Sequence, residues 1–165
     1  MTRVLIIYDS QTGNTEKMAV LVSEGVKKVD DAEPILKKVD RATPDDLQAA
    51  DAIIMGSPTY YGQMSGKLKT FIDKSNKIHG KLVGKVGGAF TSSGGTACGA
   101  ETTLLSILNS MLIHGMIVQG MREYNHYGPA SVGAPGKQET ELCRLLGKRV
   151  AELASKLKTS KTLRK

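Results

Sequence analysis

The stretch Val4-Leu5-Ile6-Ile7-Tyr8-Asp9-Ser10-Gln11-Thr12-Gly13-Asn14-Thr15 decides the reading of this chain. Its first four residues form an unbroken apolar run, the pattern of a strand buried on both faces of a parallel sheet. A hydroxyl-rich loop around one glycine follows. Residues 14–29 then place Met18, Leu21, Val22, Val26 and Val29 at helical spacing. Strand, polar loop and helix in that order open a βα unit, and the question is whether the unit repeats.

It does, to the end of the chain. Pro34 to Val39 reads as a weaker strand, and its two lysines suit a sheet edge. Thr43-Pro44-Asp45-Asp46 reads as an N-cap, a proline at N1 and two acids in the first turn of a short helix. Ala52-Ile53-Ile54-Met55 is a second buried strand ending at Gly56, and Leu68, Phe71 and Ile72 mark the helix after it. Lys85 to Phe90 is a strand thinned by Gly87 and Gly88, followed by a helix marked by Leu104, Leu105, Ile107, Leu108, Met111 and Leu112. Met116-Ile117-Val118 reads as a fifth strand. Leu142, Leu145, Leu146, Val150, Leu153 and Leu157 mark the last helix, and irregular residues 122–135 precede it. Strict βα alternation predicts a three-layer α/β fold with a parallel sheet. Five strands are too few for a closed eight-stranded barrel.

Composition agrees. The chain has 165 residues, 40% hydrophobic and 24% charged, ordinary for one globular domain. No apolar run approaches the ~20 residues of a membrane span. Asp9 comes too early for a secretory signal, so a cytoplasmic protein is expected. Two cysteines, Cys98 and Cys143, make no disulfide framework and read as reduced thiols. Of the formal +7 charge, five positive charges lie in residues 156–165, which hold no acid, leaving +2 on the body. The reading is a single domain over 1–155 and a basic tail over 156–165, without the basic face that nucleic-acid binding needs.

Ligands of open parallel sheets bind outside the carboxyl ends of the strands. After the first strand, Ser10, Thr12 and Thr15 surround Gly13 with Asn14 and no cation. Hydroxyls and free N–H groups at a helix start make an anion site, here an uncharged phosphate cradle. A dinucleotide fingerprint needs three glycines there, and only Gly13 is present. A P-loop also fails: Gly62 and Gly66 enclose three residues, as do Gly80 and Gly84, and neither Lys67 nor Lys85 precedes a hydroxyl. After the third strand, Tyr60 and Tyr61 offer flat surface for a planar ring. After the fourth, Ser92, Ser93, Gly94 and Gly95 let backbone approach a ligand closely.

Ser10-Gln11-Thr12-Gly13-Asn14-Thr15 resembles, position for position, the FMN phosphate loop of flavodoxins. The resemblance covers nearly the whole chain. It implies a flavodoxin-like three-layer sandwich with a five-stranded parallel sheet of order 2-1-3-4-5 and helices on both faces. Gly56-Ser57-Pro58-Thr59, Gly62-Gln63-Met64-Ser65-Gly66 and His114-Gly115-Met116 resemble the NAD(P)H:quinone oxidoreductases of the tryptophan-repressor-binding-protein (WrbA) type. The implied cofactor is FMN, with NAD(P)H as electron donor. By position, Ser10, Gln11, Thr12, Gly13, Asn14 and Thr15 form the loop that holds the phosphate. Pro58, Thr59, Tyr60, Tyr61 and Gly62 line the isoalloxazine, and Ser92, Ser93, Gly94 and Gly95 follow its polar edge and ribityl chain. His114 matches a histidine near the flavin in that branch, which makes it the candidate catalytic residue; the plain alternative is a structural residue at the start of a strand. His126-Tyr127 is similar to a Tyr-Gly segment of the same branch. No metal site is expected.

The chain departs from that branch in three ways. The link from Val39 to Asp51 lacks the branch's inserted segment, the chain has no tryptophan, and its body lacks the acidity usual in flavodoxins. The favoured reading is an NAD(P)H:quinone oxidoreductase-like enzyme. The alternative is a flavodoxin-type electron carrier with a redox-protein partner, and a flavin-free interaction module is the third class. A homodimer would cover a flavin face this poor in aromatics. Six lysines between Lys67 and Lys85 against one acid, Asp73, suggest either a positive rim near the site or a solvated helix face.

Overall fold

The computed structural model describes residues 1–122 and 124–160 in full, and the backbone of 161 and 162. The order is β1 (Thr2–Tyr8), α1 (Asn14–Val26), β2 (Ala32–Lys38), a 3-10 turn (Val39–Arg41), α2 (Pro44–Ala49), β3 (Ala52–Pro58), α3 (Gly66–Lys74), a second 3-10 turn (Ser75–Ile78), β4 (Val86–Ser93), α4 (Ala100–Ile113), β5 (Ile117–Val118), β6 (Ala130–Val132) and α5 (Lys137–Thr162). The strands are all parallel and ordered β2-β1-β3-β4-β5, with β6 also paired to β4. This is the expected 2-1-3-4-5 sheet with one small addition.

The apolar runs occupy the centre because only the centre is covered on both sides. Leu5 and Ile7 of β1 face a core built with α2, α3 and α4, while Val4 and Ile6 face α1 and α5. Gly87 and Gly88 in β4 have a packing reason. A Cβ on Gly87 would lie 2.7 Å from the Met111 sulfur, and one on Gly88 3.0 Å from Leu146 Cδ1, so helices press on both faces of that strand. At α2, the Thr43 hydroxyl accepts from the Asp46 N–H and the Asp46 carboxylate accepts from the Thr43 N–H, a full capping box.

The fifth strand differs from expectation. Only Ile117 and Val118 pair with β4, at its Val86 end. The chain then leaves the sheet and returns as β6 beside Thr91–Ser93. Gly128 permits the return, because a Cβ there would sit 2.1 Å from the Ala89 carbonyl. The stretch expected as a tail from 156 begins inside α5. Lys158 Nζ donates to the Met1 carbonyl at 2.9 Å and to Asp51 Oδ2 at 2.8 Å. Leu163, Arg164 and Lys165 lie outside the described residues. Among the described residues no helix is long and apolar enough to cross a membrane.

Helices α1 and α5 cross through a reciprocal pair of glycines. A Cβ on Gly25 would lie 2.0 Å from the Arg144 carbonyl oxygen, and one on Gly147 2.0 Å from that of Val22. Each obstacle is backbone, so nothing yields except by separating the helices. Gly147→Ala should therefore cost about 3 kcal/mol, the upper range of overpacking. Thermal unfolding should show this as a fall of about 2–4 °C per kcal/mol. An unchanged melting temperature would show that the two helices part without cost.

Candidate functional site at the carboxyl edge of the sheet

Right-handed βα crossovers bring the loops after β1, β3 and β4 to one edge. Asp9 extends β1 by donating its N–H to the Gly56 carbonyl at 3.0 Å. The chain then turns, and the Gly13 N–H donates to Ser10 Oγ at 3.1 Å. Gly13 is the N-cap of α1 at φ +89°, and no side chain caps the helix. The N–H groups of the first turn thus lack the protein oxygen that Thr43 supplies to α2 and Ser65 to α3. Ser10 is buried and Thr15 almost wholly so, and Thr15 Oγ1 lies 2.8 Å from Ser92 Oγ, tying this loop to the end of β4. Gln11 and Thr12 are exposed.

The loop after β3 is anchored by hydroxyls. Thr91 Oγ1 donates to the Ser57 carbonyl at 2.7 Å. Its oxygen is left to accept from Thr59 Oγ1, 2.9 Å away. Thr59 N–H also donates to the Ser92 carbonyl at 2.8 Å. Tyr60 and Gln63 exchange two backbone bonds of 3.0 Å around a turn with Tyr61 at φ +50° and Gly62 at φ +71°. An aromatic residue at positive φ is costly, and here it leaves the Tyr61 side chain fully exposed. Gly62 touches the third loop, since a Cβ on Gly99 would lie 2.6 Å from Gly62 Cα. Gly99 begins α4 at φ +90°, again with no side-chain cap. Ser93 Oγ donates to the Gly95 carbonyl at 2.9 Å, and Gly94 has open space where a Cβ would be. Pro58, Thr59, Tyr60, Tyr61 and Gly62 therefore meet Ser92, Ser93, Gly94 and Gly95 beside the α1 start.

His114 is not brought there. It caps the far end of α4, whose 14 residues begin at the site edge. At 1.5 Å per residue, that places it about 20 Å away. Its Nε2 lies 2.8 Å from Ser75 Oγ, which already donates to the Ile72 carbonyl at 2.6 Å. The histidine must therefore donate, leaving Nδ1 as a buried acceptor without a partner. Burial, then the neighbouring His79 ring, holds its pKa below the usual histidine value. The alternative reading, a structural residue, is the one this position favours. The lysine run also leaves the site along α3: Lys67 pairs with Asp40 at 3.2 Å and Lys69 with Asp73 at 2.7 Å. His126 lies in the excursion before β6, its Nδ1 2.8 Å from the Met121 carbonyl. Cys98 is exposed in the third loop and Cys143 is buried.

Sequence reasoning did not single out Asp9. It is 1% exposed, and neither carboxylate oxygen has a hydrogen-bond partner among the described residues. A buried carboxylate without a donor is expensive. The signal was present: a charged residue directly continuing a strand buried on both faces. Its position under the loop fits a bound group that brings its own hydroxyls.

Beside the same loop, Tyr8 donates to Glu16 Oε1 at 2.6 Å. Burial, and then this bond to Glu16, push the phenol up to about 12. An unfolded tyrosine titrates near 10. The folded state thus keeps a proton that the unfolded state releases. The stability this gives is fully present below about pH 10 and is lost as pH rises toward about 12. Tyr8→Phe should remove one late-titrating phenol from an ultraviolet titration and flatten that part of the stability curve. If the curve keeps its slope, the Tyr8–Glu16 bond is not its source.

Comparison with known proteins agrees with this geometry. The family described as NADPH-dependent FMN reductase matches residues 2–125. A flavodoxin of Aquifex aeolicus is 43% identical over 160 residues, covering 92% of this chain and 86% of that protein. An NAD(P)H dehydrogenase (quinone) of Archaeoglobus fulgidus is 39% identical over 190 residues, covering 95% of this chain and all of that protein. Among solved structures, the flavodoxin, WrbA-like protein from Agrobacterium tumefaciens superposes with a TM-score of 0.80 at 31% identity, covering 94% of this chain and 99% of that one. The chain belongs to the NADPH-dependent FMN reductase family and has the flavodoxin-like fold.

Proposed function

We propose that the carboxyl-edge site holds FMN and that the protein works as an NAD(P)H:quinone oxidoreductase. The observation that carries the binding assignment is the uncapped start of α1 inside a loop of hydroxyls. When bound, FMN supplies the redox chemistry, taking electrons from NAD(P)H and passing them to an acceptor. The chain's residues bind and orient. Ser10, Thr12, Asn14 and Thr15, with the Gln11 backbone and the first N–H groups of α1, donate to the phosphate around the turn at Gly13, and the helix dipole adds modest attraction. Asp9 accepts from the ribityl hydroxyls. Tyr60 and Tyr61 flank the ring, with Pro58, Thr59 and Gly62 shaping that wall. Ser92, Ser93, Gly94 and Gly95 follow the polar edge, where missing side chains permit close approach.

The quinone reading is supported by the Archaeoglobus relative, whose similarity spans its full length. A second reading, an electron carrier between redox proteins, is favoured by the flavodoxin relative and by the short link from Val39 to Asp51. A homodimer covering the exposed Tyr61 belongs with the first reading.

The test is a spectrum of the protein with FMN, followed by anaerobic addition of NADH and then NADPH. Bleaching within seconds, reversed by a quinone, is the expected result. No bleaching by either nucleotide would support the carrier. Thr12→Val should weaken FMN binding by about 1–3 kcal/mol, the cost of an unsatisfied buried phosphate oxygen. Asp9→Asn should weaken FMN binding while raising the melting temperature of the flavin-free protein. Unchanged affinity in both variants would remove the assignment.

A further inference from the structure

A cleft of about 590 Å³ opens beside the phosphate loop, on its β2 side. It is lined by Tyr8, Glu16, Leu36, Lys37, Lys38 and Arg41. These residues come from the carboxyl ends of β1 and β2, the 3-10 turn after β2 and the first turn of α1. The cleft is thus one strand away from the loop after β1. It is two strands from the Tyr60–Gly62 turn after β3, about 10 Å at ordinary strand spacing.

Its charge is unevenly balanced. Lys37 is paired, donating to Asp46 Oδ1 at 2.7 Å. Lys38 and Arg41 have no acid partner among the described residues. Glu16 is the one carboxylate in the lining, and it already accepts the Tyr8 hydroxyl at 2.6 Å. A guanidinium and an ammonium at the mouth of a cleft suit a dianionic phosphate: the first as a fork of donors, the second as a point charge. The phosphate of FMN has its own cradle in the neighbouring loop, so this second site calls for a ligand with a phosphate remote from its redox end.

Resting on the FMN and NAD(P)H reading above, we infer that Lys38 and Arg41 receive the 2′-phosphate of NADPH and make the protein selective for NADPH over NADH. A dinucleotide with its nicotinamide at the Tyr60–Gly62 turn and its adenosine end across the phosphate loop reaches this cleft along the sheet edge. The pyrophosphate common to both nucleotides is the competing source of the same charge, and the two are separable.

The experiment compares the wild type with Lys38→Gln/Arg41→Gln, two changes outside the buried core. Calorimetry with adenosine 2′,5′-bisphosphate and with adenosine 5′-monophosphate gives a readout independent of turnover. The bisphosphate should bind the wild type roughly tenfold more tightly, an advantage the variant loses. In flavin reduction, KM for NADPH should rise roughly tenfold in the variant while KM for NADH stays unchanged. The wild-type preference should also shrink as salt rises. Equal binding of both nucleotides to the wild type, or equal losses for both in the variant, would overturn the assignment, the second by placing the pyrophosphate in the cleft. If neither dinucleotide reduces the flavin while the bisphosphate keeps its advantage, the proposed activity fails and the phosphate site stands.

Discussion

The rest of the structure depends on three strands that must be covered on both faces. β1, β3 and β4 are buried along nearly their whole length, and their backbone groups are satisfied by neighbouring strands. Covering both faces requires helices above and below, and parallel pairing requires each strand to be followed by a crossover. With crossovers of one hand, every polar loop arrives at the same edge. The binding loops are therefore neighbours as a consequence of burial. Gly25 and Gly147 serve the same constraint by letting α1 and α5 close over one face.

At that edge the protein leaves groups unsatisfied that it satisfies elsewhere. α2 and α3 receive side-chain caps, whereas α1 and α4 begin at bare glycines in the left-handed conformation. Asp9 is buried without a donor, and Tyr61 stands exposed at positive φ. Each feature costs the fold stability, and together they support the proposal that a ligand binds at this edge. The cradle itself carries no cation. The nearby positive charge, Lys38 and Arg41, sits one strand away, where it meets a second anion and leaves the first to neutral donors.

Much of this was legible in the chain. The apolar runs and helical stripes gave the element order, Thr43 and Asp46 announced a capping box, and the hydroxyls around Gly13 marked the loop proposed to hold the phosphate. His114 was put near the site by resemblance, yet it follows a helix of 14 residues that begins at the site edge, and such a helix ends far from where it starts. For the lysines what misled was proximity along the chain. The lysines from 67 to 85 follow the tyrosine turn, yet α3 carries them off, and the first two spend their charge on Asp40 and Asp73. The split of the fifth strand was hidden because two residues paired at one end of an excursion and three at the other look like one short strand and a loop.

The sequence by itself determined the fold class, and its resemblance to the flavodoxins pointed to the family. The fold class follows from local patterns: apolar periodicity and turn residues. Only the tertiary structure decided which residues meet. It joined Thr15 to Ser92 and Gly62 to Gly99, isolated the Asp9 carboxylate, and set Lys38 and Arg41 beside Tyr8 and Glu16. The physical reason is that these contacts run between strands adjacent in the sheet but distant in the chain. Strand order and the right-handed crossovers set them, and no window of sequence contains both partners.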